Sequence, residues 1–280
     1  MKIGIIGSTG FVGSEVFNFL KTETNHNVFK FSSYKKFKKK WSYQILKEIK
    51  LKKPEIIINC SGYTKLAERK REIKNLVYSN FYSNIIFINQ ACNNNNFKSY
   101  ITFGSKWELG DTDTNKPLNL YAAIKKANDS IFEYFSNKKI SIISLKLFDT
   151  FGYNDHRDKL LNQLRKSYRM NKTLNITDGS QYLDYVNIKD ICSLILMLVK
   201  DVGSKKLKGF KSFTVSSKKP LRLIDLIILL KKNLNKKLQI KKSKKYRLKQ
   251  SLKPTLTFNN YPGWKIKSKL KYDLVKLFDK

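Results

Sequence analysis

The sequence predicts an α/β protein in which a parallel β-sheet is covered by helices on both faces. Short apolar runs alternate with stretches of helical periodicity over the first half of the chain, and "KIGIIG", "EIIINCSG" and "KISIISLKLF" are typical strands. These runs are apolar almost throughout, which is the character of strands buried on both faces. An order of strand, helix and strand indicates a parallel sheet, because each helix returns the chain across one face of the sheet.

The predicted elements follow one another regularly up to Phe151. After "KIGIIG" come a helix over "GFVGSEVFNFLKTE", a strand over "NVFKFSS", a helix over "SYQILKEIKLKK" and the strand "EIIINCSG". A long helix over "NLVYSNFYSNIIFINQACNN", the strand "SYITFGS" and a helix over "LYAAIKKANDSIFEYFSN" precede "KISIISLKLF". Later, "RDKLLNQLRKSYRM" and "RLIDLIILLKKNL" predict helices, "FKSFTVSS" predicts a strand, and "QYLDYVNIKDICSLILMLVK" predicts a strand that turns into a helix.

The composition indicates a folded protein despite an extreme charge. A hydrophobic fraction of 41% with 18 Phe and 15 Tyr argues against disorder. The net charge of +36 would suit a nucleic acid or an anionic membrane, but Lys is spread along the whole chain and no zinc-finger or RNA-binding aromatic motif accompanies it. We therefore expect no nucleic-acid partner.

The sequence also argues against a membrane span, a disulfide framework and a metal site. The longest apolar stretch, "LIDLIILL", contains Asp225 and is far too short to span a bilayer. The three cysteines are odd in number and widely separated, so a reducing cytoplasm is expected. His26 and His156 have no partners at metal-ligand spacing, and we predict no metal site.

A glycine-rich turn directly after the first strand predicts a dinucleotide-binding site. Glycines stand at positions 7, 10 and 13 of "GSTGFVG", where a tight turn opens a helix and backbone N–H groups can approach a diphosphate. The spacing departs from the common G-x-G-x-x-G form. The predicted contacts are Gly7, Ser8, Thr9, Gly10, Phe11 and Val12.

Two further strand ends belong to the same predicted site. The second strand ends in Ser32 and Ser33, followed by lysines, where a carboxylate would favour NAD(H). This end favours NADP(H), and NAD(H) stays open. The third strand ends in the small residues Cys60, Ser61 and Gly62, which would let backbone approach the coenzyme, although a plain strand-to-helix turn has the same composition.

Tyr121 and Lys125 lie four residues apart in "NLYAAIKKAN" and would share one helix face. In a chain so rich in Lys, the pair could be coincidental. It could also be a tyrosine placed for proton transfer beside a lysine that lowers its pKa from an ordinary value of about 10.

These motifs together resemble the extended short-chain dehydrogenase/reductases, the nucleotide-sugar epimerase/dehydratase family. The matching pieces are "GSTGFVG", "INCSG", Asn80 in "VYSNFYSN", "YAAIK", "LKLFDTFGYNDHRDKL", "LDYVNIKDI" and "YPGWKIKSKL". Within the family, "PLNLYAAIK" and "PGW" look most similar to NADP(H)-dependent reductases of nucleotide-linked 4-keto-deoxy sugars, of the abequose- and paratose-synthase type, which serve surface-polysaccharide synthesis.

The resemblance implies a Rossmann domain over residues 1–150 and mainly a substrate-binding lobe over residues 151–280, with segments near 184–216 returning to the first domain. It implies Tyr121 as general acid, Lys125 as its partner reaching the nicotinamide ribose, a nucleoside-diphosphate sugar as substrate and a homodimer. Asn154 and Arg157 fall where relatives begin to wrap the substrate, and an arginine there would pair with its diphosphate. Asp190 is expected to cap a helix.

The sequence departs from the family pattern just before the Tyr-Lys helix. When Trp107 is aligned with the usual aromatic residue, Phe103 occupies the place of the usual Ser or Thr hydroxyl. Thr102 and Ser105 flank it, and Ser105 is favoured because it lies in the glycine-containing loop. Gly104 and Ser105 stand where dehydratases carry Asp and Glu, so we expect no dehydration. An NAD-dependent 4-epimerase and a non-catalytic nucleotide- or RNA-binding scaffold remain alternatives.

Overall fold

The computed structural model describes residues 1–32, 40–64, 69–110, 115–243 and 258–279. Its centre is a six-stranded sheet in the order β10-β5-β4-β3-β1-β2, in which every neighbouring pair is parallel. The predicted doubly wound α/β fold is confirmed. The strands are β1 (Lys2–Ile6), β2 (Asn27–Lys30), β3 (Ile56–Asn59), β4 (Ser99–Ser105), β5 (Ser141–Leu147), β6 (Asp149–Phe151), β7 (Leu174–Ile176), β8 (Tyr182–Leu183), β9 (Tyr185–Asn187), β10 (Gly209–Val215), β11 (Leu221–Arg222) and β12 (Ile240–Lys242).

Helices cover both faces of this sheet. They are α1 (Phe11–Glu23), α2 (Trp41–Lys52), α3 (Lys70–Val77), α4 (Ser83–Cys92), α5 (Leu120–Ser136), α6 (Leu160–Arg169), α7 (Ile188–Gly203), α8 (Leu223–Asn233) and α9 (Leu270–Asp279). Side chains alternate along each strand: Ile56 and Ile58 pack towards α1 and α7, whereas Ile57 packs towards α2, α4 and α5. The near-continuous apolar strands of the sequence therefore serve two separate cores.

The segment predicted as one long helix is divided in the structure. A π-helical turn, Tyr78–Tyr82, separates α3 from α4 and contains the buried Asn80. Such turns in an α-helix widen its backbone and occur frequently at functional sites. The sequence predicts one helix here because the segment contains no Gly or Pro that would mark an interruption.

The C-terminal part contributes both to the sheet and to a third core. β10 pairs with β5 at the edge of the central sheet, and α7 packs with α1 on one face. The remaining elements form short pairs, β6 with β9, β8 with β11 and β7 with β12, around a third apolar cluster supplied by α6, α8 and α9.

The strand order fixes where a ligand can bind. From β1 the chain places β2 on one side and β3 on the other, so the order reverses at β1. In open α/β sheets the crevice at the carboxyl ends of the strands beside such a reversal is the usual binding site.

Candidate active site

A cleft of about 630 Å³ lies at the carboxyl ends of the central strands. One wall is the turn after β1 together with the end of β3. The floor is the end of β4 and the start of α5. The opposite wall comes from the segments around residues 147–161 and 181–185. The glycine turn and the C-terminal part therefore line a single cavity.

The glycine turn has the geometry that its sequence predicts. Gly7 has φ +76°, and a Cβ there would lie 2.6 Å from the backbone nitrogen of Ser61. Both constraints require glycine, because other residues rarely adopt this φ and no side chain fits so close to β3. The Gly10 nitrogen donates to the Gly7 carbonyl at 3.0 Å and closes the turn that opens α1.

A carboxylate lies at the end of β2, where the sequence appeared to have none. Glu48, on α2, accepts hydrogen bonds from the hydroxyl and, at 3.3 Å, from the backbone nitrogen of Ser32. Its pKa is lowered: burial opposes ionisation, but hydrogen bonds from Lys52 and Ser32 outweigh it. The premise of the NADP(H) prediction was thus wrong, because Glu48 reaches this strand end from sixteen residues along the chain.

Tyr121 and Lys125 share the first turns of α5 and both line the cleft. Asn119 begins the helix, its side chain accepting from the Ala122 nitrogen at 2.9 Å. The Tyr121 ring packs edge-on against Trp107, with the ring centroids 6.1 Å apart. Lys125 is buried, and its ammonium donates to the Phe103 carbonyl at 2.8 Å. Trp107 thus holds the Tyr121 ring in position, and the Phe103 carbonyl holds the Lys125 ammonium.

The pKa of Tyr121 differs in direction from the sequence prediction. Burial raises it to about 12, with a further rise from the Glu108 carboxylate and a partial offset from Arg157. Lys125 is not among the charges that shift it, and burial lowers the pKa of Lys125 itself to about 8. The expectation that Lys125 lowers the pKa of Tyr121 therefore fails in this structure: the phenol stays protonated at neutral pH.

Of the two candidate hydroxyls near Tyr121, only that of Ser105 lines the cleft. Its oxygen accepts a hydrogen bond from the Trp107 backbone nitrogen at 3.3 Å. This bond orients the hydroxyl and leaves its proton free to donate. Thr102 lies on the other face of β4 and lines a separate small cavity behind Lys125. Phe103 supplies its backbone rather than a hydroxyl, since its carbonyl anchors Lys125.

A buried ionic cluster, which the sequence analysis did not predict, supports this floor. Lys146 on β5 pairs with Glu108 and, at 3.0 Å, with Asp129 on α5. Glu108 also accepts from the Ser105 nitrogen at 2.6 Å. A Cβ on Gly104 would lie 2.5 Å from Glu108, so glycine is needed for the pair to pack against β4. These contacts join residues far apart in sequence, and no local motif announces them.

The two predicted substrate residues are in different surroundings. Arg157 lines the cleft, is held by Asp155 and Thr150, and stacks on the Phe11 ring with its guanidinium carbon 4.7 Å from the centroid. Asn154 is exposed, does not line the cleft, and donates to Glu15 at 2.8 Å. The substrate assignment of Asn154 thus has no support from the geometry.

Lys159 is a cleft residue that the sequence analysis missed. It is the residue before α6, and its ammonium lies 6.0 Å from the Trp107 ring centroid. The side chain keeps exposed surface, and partial desolvation and the neighbouring Arg157 lower its pKa. Among so many lysines, nothing in the local sequence could distinguish it.

The remaining predicted residues separate by position. The cleft is also lined by Gly10, Phe11, Val12, Cys60, Ser61 and Gly62. Gly7, Ser8, Thr9 and Ser32 are not part of this lining, and Ser33 is outside the described residues. Asp190 does not cap α7; Asn187 does, at 3.0 Å from the Lys189 nitrogen, while Asp190 binds the backbone of Lys267 and Ser268.

No helix in the described ranges combines the length and apolar character needed to cross a membrane.

Comparisons with known proteins agree with this architecture. Residues 3–209 match the model of the NAD dependent epimerase/dehydratase family. CDP-abequose synthase of Yersinia pseudotuberculosis is 32% identical over 105 residues, which is 37% of this chain and 37% of that protein. The chain thus spans little more than a third of that relative's length.

Solved structures resemble the whole chain at low identity. MoeE5 in complex with UDP-glucose and NAD superposes with a TM-score of 0.80 at 11% identity, covering 100% of this chain and 98% of that one. RMD from Pseudomonas aeruginosa, complexed with NADPH, gives 0.79 at 17%, covering 99% and 96%. UDP-glucose 4-epimerase from Thermotoga maritima gives 0.78 at 17%, covering 100% and 98%. The fold, the glycine turn and the family match lead to one conclusion: the chain belongs to the NAD-dependent epimerase/dehydratase family.

Proposed function

We propose that this protein reduces a 4-keto-deoxy sugar linked to a nucleoside diphosphate, for surface-polysaccharide synthesis, with Tyr121 as the proton donor. The observation that carries the proposal is the protonated phenol of Tyr121 in the cleft. Its pKa is raised to about 12 by burial and by Glu108, so the free enzyme holds the phenol in the protonated form that a proton donor requires.

The residues of the cleft can perform this reaction in a simple order. A nicotinamide coenzyme, when bound, would supply a hydride to the ketone carbon, and the ketone oxygen would become an alkoxide. The Ser105 hydroxyl can donate a hydrogen bond to the ketone oxygen, and Tyr121 can transfer its proton to that oxygen as charge develops. Lys125, fixed by the Phe103 carbonyl, is placed to donate to the ribose of the coenzyme.

The runner-up activity is 4-epimerisation, which uses the same residues but begins with an oxidation. That step requires the phenolate of Tyr121 as a base, and both burial and Glu108 disfavour the phenolate. CDP-abequose synthase among the relatives also favours the reductase, although it matches only part of the chain.

A panel assay tests the proposal. Purified protein is mixed with nucleoside-diphosphate 4-keto-deoxy sugars and reduced coenzyme, and coenzyme oxidation is followed by absorbance. Consumption with at least one keto sugar supports a reductase. Interconversion of UDP-hexoses without net coenzyme consumption would identify an epimerase. Inactivity throughout, with RNA binding that falls steeply with salt, would favour the scaffold alternative.

For the substrate, we propose that Lys159 and Arg157 bind its diphosphate. Both cations line the cleft, and Arg157 lies against Phe11 at the end of the glycine turn. Arg157 is already oriented by Asp155, so its position is set before a substrate arrives. Asn154 is not part of this proposal.

We propose NAD(H) as the preferred coenzyme, in place of the NADP(H) predicted from sequence. The Glu48 carboxylate on Ser32 would accept a hydrogen bond from a ribose hydroxyl and repel a 2′-phosphate. We expect NADH to bind more tightly than NADPH, and Glu48→Gln to narrow the ratio of their dissociation constants by on the order of tenfold. Titration of the free protein by coenzyme fluorescence measures both constants.

Glu55→Gln is the matched control for Glu48→Gln. Glu55 likewise pairs with a lysine, Lys98 at 2.7 Å, but lies at the opposite end of the sheet, and its loss should leave the ratio unchanged. A wild-type preference for NADPH that Glu48→Gln does not alter would refute the role of Glu48.

We also propose a homodimer that buries one face of α3. Ile73 and Val77 are exposed one helical turn apart, next to the exposed Tyr82. Val77→Glu should shift the protein to a monomer in sedimentation velocity, because a charge would be desolvated in the interface. Tyr43→Glu, at an exposed site on α2, is the control and should not change the sedimentation coefficient. A wild-type monomer would contradict the proposal.

A further inference from the structure

A cluster of buried asparagines lies directly behind the cleft and joins the wall at the end of β3 to the floor at α5. Asn59 ends β3, Asn84 is on α4 and Asn128 is on α5, and all three are at most 3% exposed. Burying an amide costs free energy unless each of its polar atoms finds a partner, so such clusters are built only where every member is satisfied.

Asn84 is the centre of this cluster. Its oxygen accepts from Asn59 at 2.9 Å and from the Tyr100 hydroxyl at 2.8 Å. Its amide group donates to the Asn80 carbonyl at 2.9 Å and to the Asn128 side-chain oxygen at 3.2 Å. One side chain thus uses both lone pairs and both protons, which fixes its orientation completely.

One arm of the cluster leads to the loop that faces the coenzyme. The Asn59 oxygen accepts from the backbone nitrogen of Ser61 at 3.0 Å and from its hydroxyl at 2.6 Å. Asn80 brackets Tyr63, accepting from its nitrogen at 3.0 Å and donating to its carbonyl at 2.8 Å. The coenzyme loop, residues 60–63, is therefore held at both ends by residues bonded to Asn84.

The other arm leads to the helix of Tyr121 and Lys125. Asn128 lies three residues after Lys125 on α5 and donates to the Asn80 carbonyl at 3.0 Å. Asn128 therefore ties α5 to the π-helical turn that contains Asn80, and Asn84 ties that turn to β3. The contacts run through side-chain amides, whose fixed bond lengths define spacing more sharply than apolar contacts do.

We propose that Asn84 is a positioning residue that keeps the coenzyme loop and the Tyr121–Lys125 turn at a fixed separation. The effect on turnover rests on the proposed role of Tyr121, but the effect on coenzyme binding does not. Small displacements of reacting groups are costly, since a shift of about 1 Å can lower a rate by about 100-fold.

The test compares Asn84→Leu with Tyr100→Phe. Asn84→Leu keeps the approximate volume and removes the hydrogen bonds that join the two arms at Asn84. Tyr100→Phe removes the bond from its hydroxyl to Asn84 and the bond that its hydroxyl accepts from Asn59 at 2.7 Å, and it leaves the bonds of Asn84 to both arms intact. We expect Asn84→Leu to raise the dissociation constant of the coenzyme, and to lower kcat, by about tenfold or more each. Tyr100→Phe should lower the melting temperature while changing neither.

The outcomes separate a positioning role from a purely structural one. A folded Asn84→Leu with altered melting temperature but unchanged coenzyme affinity and kcat would overturn the proposal. If Asn84→Leu does not fold, Asn128→Leu, which severs only the α5 arm, decides. It should lower kcat and weaken coenzyme binding through Lys125, and a folded variant equal to wild type in kcat overturns the proposal. If the wild type reduces no keto sugar, the proposed function fails, and coenzyme affinity of Asn84→Leu alone decides this inference.

Discussion

Replacing Tyr121 with Phe lowers kcat for keto-sugar reduction by about 100- to 10,000-fold and leaves the coenzyme dissociation constant nearly unchanged. The hydroxyl is the only group removed, and its expected contribution is confined to the transition state, where proton transfer accompanies formation of the alcohol. The ring remains, so its packing against Trp107 is kept. Steady-state kinetics on the active keto sugar and fluorescence titration of the coenzyme measure the two quantities.

Tyr134→Phe is the matched control for this variant. Tyr134 is on the same helix, exposed and outside the cleft, so the same atom is removed from the same element without touching the reaction. Its kcat should equal that of the wild type. If Tyr121→Phe kept more than about a tenth of the wild-type kcat, another group would have to supply the proton.

The features that the sequence predicted well are local ones. The glycine turn is set by a backbone conformation at Gly7 that few other residues adopt, and the Tyr121–Lys125 pair by the period of one helix. The sheet was also predicted from a local signal, the alternation of short apolar strands with stretches of helical periodicity. Each of these signals lies within a few consecutive residues. The resemblance to a family then indicated that the separate motifs belong to one fold.

The features that the sequence missed are contacts between distant segments. Glu48 reaches Ser32 from the next helix, and Glu108, in the turn after β4, meets Lys146 on the neighbouring strand β5. Burial is the main cause of the upward shift in the pKa of Tyr121, and the Glu108 carboxylate, which no sequence motif indicates, adds to it. Charge in a chain this rich in Lys becomes informative only when its partners and burial are known.

Phe103 illustrates the same limit in a single residue. Sequence alignment asks which hydroxyl replaces the one that Phe103 lacks. The structure gives the position a different use: its ring packs in a core between the sheet and helices α1 and α7, and its carbonyl binds Lys125. A backbone carbonyl is present whatever the side chain, so sequence cannot show that this one has a role.

Replacing Lys146 with Met destabilises the protein by about 3–5 kcal/mol at neutral pH. Glu108 is 1% exposed, and Lys146 is the cation that compensates its charge. Without it, the carboxylate is left buried beside Asp129, a second negative charge. Chemical denaturation measures the loss of unfolding free energy. Lys98→Met, which removes a half-exposed pair at 2.7 Å, is the control and should cost less than about 1 kcal/mol.

The pH dependence tests whether the unpaired Glu108 carboxylate causes the loss of stability in Lys146→Met. Burial already raises the pKa of Glu108 in the wild type, and loss of Lys146 removes the attraction that opposes this rise. A group whose pKa is higher in the folded state than in the unfolded state stabilises the fold when protonated, and that contribution is lost as the pH rises through its folded pKa. The cost of Lys146→Met should therefore shrink as the pH is lowered.

Lys146→Met combined with Glu108→Gln keeps an acceptor for the Ser105 nitrogen without a charge, and it should recover part of the stability and lose the pH dependence. An equal cost at every pH in both variants would instead assign the loss to packing around the lysine side chain.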